Sequence, residues 1–135
     1  MATAGYSGTP LPKKLGIKPG STLYVDGPAP SDYPSEGATV ARTLSQQVDL
    51  VHVFTKSAAE LDAKLRKYRD KIRDDAVVWV SWPKKASKVP TDITEDTIRE
   101  VALPLGFVDI KVCAVDDVWS GLKLVVRREN RAPSS

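Results

Sequence analysis

Two apolar runs separated by a helical segment constrain the fold of this chain more than any other feature of its sequence. Residues 48–54 and 76–82 are rich in β-branched and aromatic side chains, which is typical of strands buried on both faces of a sheet. The segment between them carries apolar residues at helical spacing, namely Leu61, Leu65, Tyr68 and Ile72. Strands that alternate with helices in this way predict an α/β fold with a parallel sheet.

Two predicted helices flank the 76–82 strand along the chain, and both have recognisable ends. The first begins after Ser57, which forms a capping-box pattern with Glu60, and its apolar spacing continues through Arg73. The second begins after Thr94, has acidic residues in its first turn, and ends where Pro104 follows Leu103.

The elements before the first apolar run are shorter. Thr9 and Pro10 predict the start of a helix that ends at Gly16, and residues 21–26 predict a first strand. Residues 27–37 are too rich in proline and glycine to form a regular helix, so a loop is predicted there. A short strand is predicted next, at residues 38–41.

The last two strands predict an antiparallel addition to the sheet. Residues 107–115 and 118–127 are separated by an aspartate turn, which most simply makes them a hairpin. The order of elements predicts a single-domain, mostly parallel Rossmann-like sheet with a C-terminal antiparallel strand pair and helices on its faces. The predicted domain spans residues 9–127, with flexible ends at 1–8 and 128–135.

Composition and charge exclude several classes of protein. The chain has 135 residues, enough for one core, and its net charge of +3 is short of a strong nucleic-acid footprint. No apolar run approaches the roughly 20 residues of a membrane span, and residues 1–8 form no secretion signal, so a cytoplasmic location is expected. Cys113 is the only cysteine, which excludes an internal disulfide, and it is expected to be an inert core residue.

A lysine-rich loop stiffened by prolines follows the 76–82 strand and is the candidate functional site. Ligands of open α/β sheets bind outside the carboxyl ends of the strands, where this loop is expected to lie. The helix that begins after Thr94 is expected to place N–H groups that favour anions beside it. The sequence therefore predicts a surface for an anion or a partner, formed by Trp82, Lys84, Lys85, Ser87, Lys88 and Thr91, with Trp119 and Lys123 as further candidates.

No set of residues predicts a reaction. His52 is the only histidine, and it alternates with apolar residues in a buried strand, so a core histidine is favoured over a general base. The carboxylate pairs at 74–75 and 116–117 lie in predicted turns, where aspartate is common. The chain has neither a phosphate-binding P-loop nor a glycine triplet after a strand. No catalytic residue and no metal ligand are therefore predicted.

Three sequence blocks, at residues 8–20, 82–92 and 119–123, resemble the bacterial domain-of-unknown-function 3052 family. This resemblance spans nearly the whole chain and implies no particular activity. In architecture, residues 21–127 also resemble the latter half of class I S-adenosylmethionine-dependent methyltransferases. That second resemblance implies a Rossmann-like sheet and binding of the methyl-donor cofactor.

The sequence departs from the methyltransferase pattern in both parts of the cofactor site. After the first strand only Gly27 remains of the usual glycine turn, and Pro28 supplies bulk in place of an N–H donor. The predicted strand at 38–41 is followed by Arg42 instead of a carboxylate, and residues 43–47 leave no room for a third strand. We therefore expect neither S-adenosylmethionine nor another cofactor.

These observations favour a non-catalytic binding or regulatory module that holds an anionic small molecule or a protein partner. One alternative is a divergent methyltransferase that uses Asp26 and the 27–37 loop in place of the glycine turn. Another is weak nucleic-acid binding through the basic helix at 64–73 and the lysine-rich loop. The strand near Ala38 is a predicted sheet edge, which leaves a homodimer open, and nothing in the sequence indicates a membrane.

Overall fold

The computed structural model describes residues 11–29, 33 and 37–127. In chain order the elements are α1 (Leu11–Leu15), β1 (Thr22–Asp26), β2 (Thr39–Val40), β3 (Leu50–Phe54), α2 (Ala58–Lys71), β4 (Val77–Pro83), α3 (Glu95–Ala102), β5 (Phe107–Ala114) and β6 (Trp119–Val126). Short 3-10 turns lie at Lys85–Ser87 and Leu103–Leu105. The helix start predicted at Thr9 and Pro10 and the flexible ends predicted at 1–8 and 128–135 lie outside the described residues.

The strands of the described ranges form one six-stranded sheet in the order β2-β1-β3-β4-β6-β5. The β1–β2, β1–β3 and β3–β4 pairs are parallel, whereas β6 pairs antiparallel with both β4 and β5. The predicted α/β fold, mostly parallel with a C-terminal antiparallel pair, is thus confirmed. The predicted edge strand is also confirmed, since β2 is outermost on one side and β5 on the other.

Helices α2 and α3 cover one face of the sheet, and the larger part of the core lies beneath them. Alternate residues of the strands point into this layer because successive side chains of a strand point to opposite faces. They include Val51, Val53, Val78, Val80, Trp82, Leu122 and Leu124. The helices contribute Leu61, Leu65, Tyr68, Ile98 and Ala102, all of them buried.

On the opposite face, α1 and two residues after β1, Ala29 and Tyr33, pack against the sheet. Leu15 of α1 packs with Leu23, Leu50 and Trp79, and the indole N–H of Trp79 donates to the Leu15 carbonyl at 2.8 Å. Further along this face, Tyr33 packs against Phe54 of β3 at a ring-centroid distance of 6.1 Å. Tyr33, which lies in the segment predicted to be a proline-rich loop, therefore supplies part of the second layer.

The helix ends follow the predicted caps, with two differences. Ser57 accepts a hydrogen bond from the Glu60 N–H at 3.2 Å, but the Glu60 carboxylate accepts from the Thr55 hydroxyl, so the capping box is only half formed. The predicted end of α3 at Leu103 becomes a 3-10 turn that contains Pro104. Gly106 then ends this turn with φ of 96°, a conformation that favours glycine.

Candidate functional site: the lysine-lined pocket

A pocket of about 740 Å³ opens at the carboxyl end of β4, where the lysine-rich loop leaves the sheet. Its volume lies within the range of ordinary small-molecule sites. Most of its lining comes from the loop between β4 and α3. The lining residues are Trp82, Pro83, Lys84, Lys85, Lys88, Val89, Pro90, Thr91, Ile93, Thr94, Glu95 and Ser120.

Hydrogen bonds at both ends fix the loop to the scaffold. The Lys84 N–H donates to the Val118 carbonyl at 2.6 Å, which ties the start of the loop to the strand pair β5–β6. The Thr91 hydroxyl donates to the Lys56 carbonyl at 2.8 Å, and the Asp92 carboxylate accepts from the Ala58 N–H at 2.8 Å. The end of the loop is thus held at the start of α2, and the pocket walls are positioned before a ligand arrives.

The three pocket lysines, Lys84, Lys85 and Lys88, form no ion pair with any described residue. Glu95 also lines the pocket, but its carboxylate bonds Arg99 at 3.1 Å. The pocket therefore presents a local excess of positive charge.

Three of the five basic residues of α2 differ from the pocket lysines, because they form ion pairs. Lys64 pairs with Asp26 at 2.7 Å, Arg66 with Asp62 at 3.0 Å, and Arg69 with Asp74 at 3.0 Å. In these pairs, carboxylates of the same protein neutralise part of the positive charge of the helix. The interpretation of the basic helix as a nucleic-acid surface gains no support from them.

The structure brings together five of the eight predicted site residues. Trp82, Lys84, Lys85, Lys88 and Thr91 line the pocket. Ser87 does not line it, and its hydroxyl donates instead to the Lys84 carbonyl at 2.6 Å within the 3-10 turn.

The two further candidates on β6 lie on the opposite face of the sheet from the pocket. Trp119 packs edge-on against Phe54 at 5.1 Å, and Lys123 lies opposite Trp79 in the β4–β6 register. Burial and the neighbouring Lys111 lower the pKa of Lys123.

Seven pocket residues are not among the predicted site residues, namely Pro83, Val89, Pro90, Ile93, Thr94, Glu95 and Ser120. Ser120 lies directly opposite Trp82 in the antiparallel β4–β6 register, so its place follows once that register is known. Thr94 was identified only as a cap, and its side chain does accept from the Thr97 N–H at 3.2 Å. Glu95 follows Thr94 directly, so its place beside the loop could be predicted from the start of α3.

His52 of β3 is buried, and hydrogen bonds join its ring to Tyr33 on one side and to Ser81 of β4 on the other. Its Nδ1 lies 2.7 Å from the Tyr33 hydroxyl, and its Nε2 lies 2.6 Å from the Ser81 hydroxyl. Burial lowers the pKa of His52 to about 3, so the ring is neutral at physiological pH. The structure confirms a core histidine with both ring nitrogens satisfied. Ser81 is also fully buried, so its hydroxyl is not accessible to a ligand.

The Tyr33 hydroxyl is expected to stabilise the fold through this bond to His52. We expect Tyr33→Phe to lower the free energy of unfolding by about 1–2 kcal/mol, because a buried ring nitrogen loses its partner. Chemical denaturation measures the change. The matched control is Tyr24→Phe, because no hydrogen bond joins the Tyr24 hydroxyl to a described side chain, and it is expected to change stability by less than about 0.5 kcal/mol. Equal losses in the two variants would contradict a role for the bond.

Cys113 is only half-buried in the structure, so it is more exposed than the core cysteine that the sequence predicts. It lies on β5, and among the described strands none pairs with the outer edge of β5. Burial nevertheless raises the pKa of its thiol, which disfavours the reactive thiolate.

The carboxyl end of β1 is occupied by contacts within the protein. Burial alone would raise the pKa of Asp26, but hydrogen bonds from Lys64 and Tyr68 outweigh it and hold that pKa below its usual value. Gly27 has φ of 88° and lies so close to β3 that an added Cβ would be 2.1 Å from the Phe54 carbonyl oxygen. The described residues therefore do not fit an adenosyl group held by a glycine turn at this position.

Solved structures of methyltransferases resemble this chain in fold. A putative type 11 methyltransferase from Sulfolobus solfataricus aligns with a TM-score of 0.57 and 12% identity, over 93% of this chain and 92% of that one. Aeropyrum pernix fibrillarin, solved with natively bound S-adenosyl-L-methionine, gives 0.53 and 12%, over 85% and 73% of the two chains. The fibrillarin pre-rRNA processing protein of Methanococcus jannaschii gives 0.53 and 10%, over 82% and 68%.

The chain has a class I methyltransferase-like fold. The likeness confirms the predicted architecture, and at this level of identity it shows the fold alone. No protein-family model matches the chain, and the comparison with curated proteins gives no match. Membership of the domain-of-unknown-function 3052 family therefore stays a prediction.

Within residues 11–29, 33 and 37–127, no group of three or more histidine, cysteine, aspartate or glutamate side chains is placed to hold a metal ion. Within the same ranges, no helix has the length and apolar character needed to cross a membrane.

Proposed function

We propose that this protein is a ligand-binding module that holds an anionic ligand in the lysine-lined pocket at the carboxyl end of β4. The observation that carries the proposal is the placement of three lysines, free of ion pairs with described residues, around one cavity. Binding a phosphate or carboxylate there would neutralise charge that the protein itself leaves uncompensated. No catalytic step is assigned, because His52 and Ser81 are buried and Asp26 is engaged with Lys64 and Tyr68.

The position of the pocket supports this function. It lies outside the carboxyl end of a strand in the parallel part of the sheet, which is where open α/β sheets bind ligands. Its loop is already braced at both ends by hydrogen bonds to Val118, Lys56 and Ala58. A braced loop loses little conformational freedom on binding, which favours affinity.

Replacing the three pocket lysines tests the proposal. We expect the wild type to bind inorganic pyrophosphate with an affinity that falls as salt is added, because the contacts are electrostatic. The triple variant Lys84→Ala, Lys85→Ala and Lys88→Ala is expected to bind at least about tenfold more weakly, which corresponds to about 1.4 kcal/mol. Isothermal titration calorimetry measures both affinities.

A second triple variant separates the pocket from net charge. Lys13, Lys18 and Lys71 are exposed and lie outside the pocket lining, and changing all three to alanine removes the same number of charges. This control is expected to keep wild-type affinity. Equal weakening in both variants would show that only net charge matters, and absence of pyrophosphate binding by the wild type would contradict the proposal.

The second candidate function is methyl transfer by a divergent enzyme, which the fold comparisons favour. Aeropyrum pernix fibrillarin holds S-adenosyl-L-methionine on the same fold. Against it stand the contacts of Asp26 and Gly27, which occupy the end of β1. Calorimetric titration with S-adenosylmethionine distinguishes the two functions, since the binding module is expected to give no heat of binding and a methyltransferase is expected to bind with one-to-one stoichiometry.

A further inference from the structure

The pocket has an apolar wall as well as a cationic one, and its volume exceeds what a small anion needs. Trp82, Pro83, Val89, Pro90 and Ile93 line it together with the lysines. A single phosphate fills only a small part of about 740 Å³, and it has no use for apolar surface. The lining therefore fits a ligand that carries both an apolar body and an anionic group.

Polar side chains from α3 and β6 also line the pocket, and they restrict the chemistry of the ligand's apolar body. Glu95 of α3 and Ser120 of β6 both line the pocket. The Glu95 carboxylate accepts hydrogen bonds and repels an anion, so it suits ligand hydroxyl or amino groups and not a phosphate. A plain fatty-acid chain would offer no hydrogen-bonding group to Ser120 or to the lone pairs of Glu95 that Arg99 does not use, and covering such polar groups without a partner is costly.

We propose that the ligand is a nucleoside phosphate, an inference that rests on the proposed function of the same pocket. The phosphates bind Lys84, Lys85 and Lys88, and the base packs on the apolar wall. Sugar hydroxyls or a base amino group donate to Glu95 and Ser120. In this arrangement each part of the pocket lining contacts a ligand group of matching chemistry.

Calorimetric titration of the wild-type protein with ADP, UDP, inorganic pyrophosphate and adenosine tests this inference. We expect at least one of the two nucleoside diphosphates to bind at least tenfold more tightly than pyrophosphate and than adenosine. The reason is that only the nucleotides contact both walls. The lysine triple variant is expected to lose affinity for nucleotides and pyrophosphate alike.

A substitution in the apolar wall isolates the contribution of the base. Val89 is partly exposed and lines the pocket, so Val89→Ser is expected to weaken nucleotide binding about threefold or more and leave pyrophosphate affinity unchanged. The matched control is Val112→Ser, at an exposed valine of β5 outside the pocket lining, which is expected to change neither affinity.

The outcomes separate this inference from the proposed function. Pyrophosphate binding as tight as that of both nucleotides would overturn the nucleotide inference and leave the anion-binding module intact. Adenosine binding as tight as ADP would overturn the role of the lysines in holding the phosphates. If none of the four compounds bound, both the inference and the proposed function would be contradicted.

Discussion

Changing Gly27 to alanine is expected to lower the free energy of unfolding by about 3 kcal/mol or more. Two independent effects add at this position. The backbone has φ of 88°, which an L-residue with a Cβ adopts only with strain. In addition, the new Cβ would lie 2.1 Å from the Phe54 carbonyl oxygen, so β1 or β3 must shift. Because this oxygen belongs to the backbone of a buried strand, it cannot move aside cheaply.

A matched glycine separates the two effects. Gly20 has nearly the same φ, 86°, but an added Cβ there meets nothing within 4 Å. Gly20→Ala therefore carries only the conformational cost, expected at about 1 kcal/mol. Urea denaturation of both variants measures the difference. Equal destabilisation would show that the end of β1 is not packed against β3 and would leave room there for a cofactor.

The stability of the protein is expected to fall by about 2 kcal/mol between pH 7 and pH 5 because of His52. In the folded state burial lowers the pKa of His52 to about 3, whereas the unfolded chain has an ordinary value of about 6.5. Below pH 6.5 the imidazole of His52 therefore binds a proton in the unfolded state but stays neutral in the folded state, which favours unfolding. The stabilisation is complete above pH 6.5 and is lost as pH falls toward 3.

This pH dependence can be assigned to one side chain, because His52 is the only histidine. Asp26 and Asp49 also have lowered pKa values, but their effect on stability begins only near and below pH 4. Urea denaturation at pH 7, 6 and 5 is the measurement. His52→Gln removes the titrating group, so its stability is expected to stay flat over this range even if it is lower throughout. A wild type with flat stability would contradict the buried, neutral ring.

The main elements of the fold could be predicted because local signals and the global fold agree. Continuous apolar runs predicted β3 and β4, and side-chain caps at Ser57 and Thr94 predicted the starts of α2 and α3. Details that depend on distant contacts could not be predicted. The bond between Glu60 and Thr55 is one example, since it replaces half of an otherwise regular capping box.

The pocket could be predicted in part, because its three lysines lie within five residues of the chain. A loop at the end of a parallel strand has a known place in an open α/β sheet, whatever the details of packing. Strand register, however, decides which face a residue of β6 occupies, and a shift of one residue reverses it. Sequence alone therefore could not decide that Ser120 faces the pocket and that Trp119 and Lys123 lie on the other face.

The position of ligand-induced changes in amide chemical shifts tests the central claim most directly. In a nuclear magnetic resonance titration with inorganic pyrophosphate, the amides of Lys84, Lys85 and Lys88 are expected to shift in a saturable way. Those of Asp26 and Gly27, at the end of β1, are expected to stay unchanged. Shifts concentrated at the end of β1, or none in the lysine-rich loop, would contradict the account.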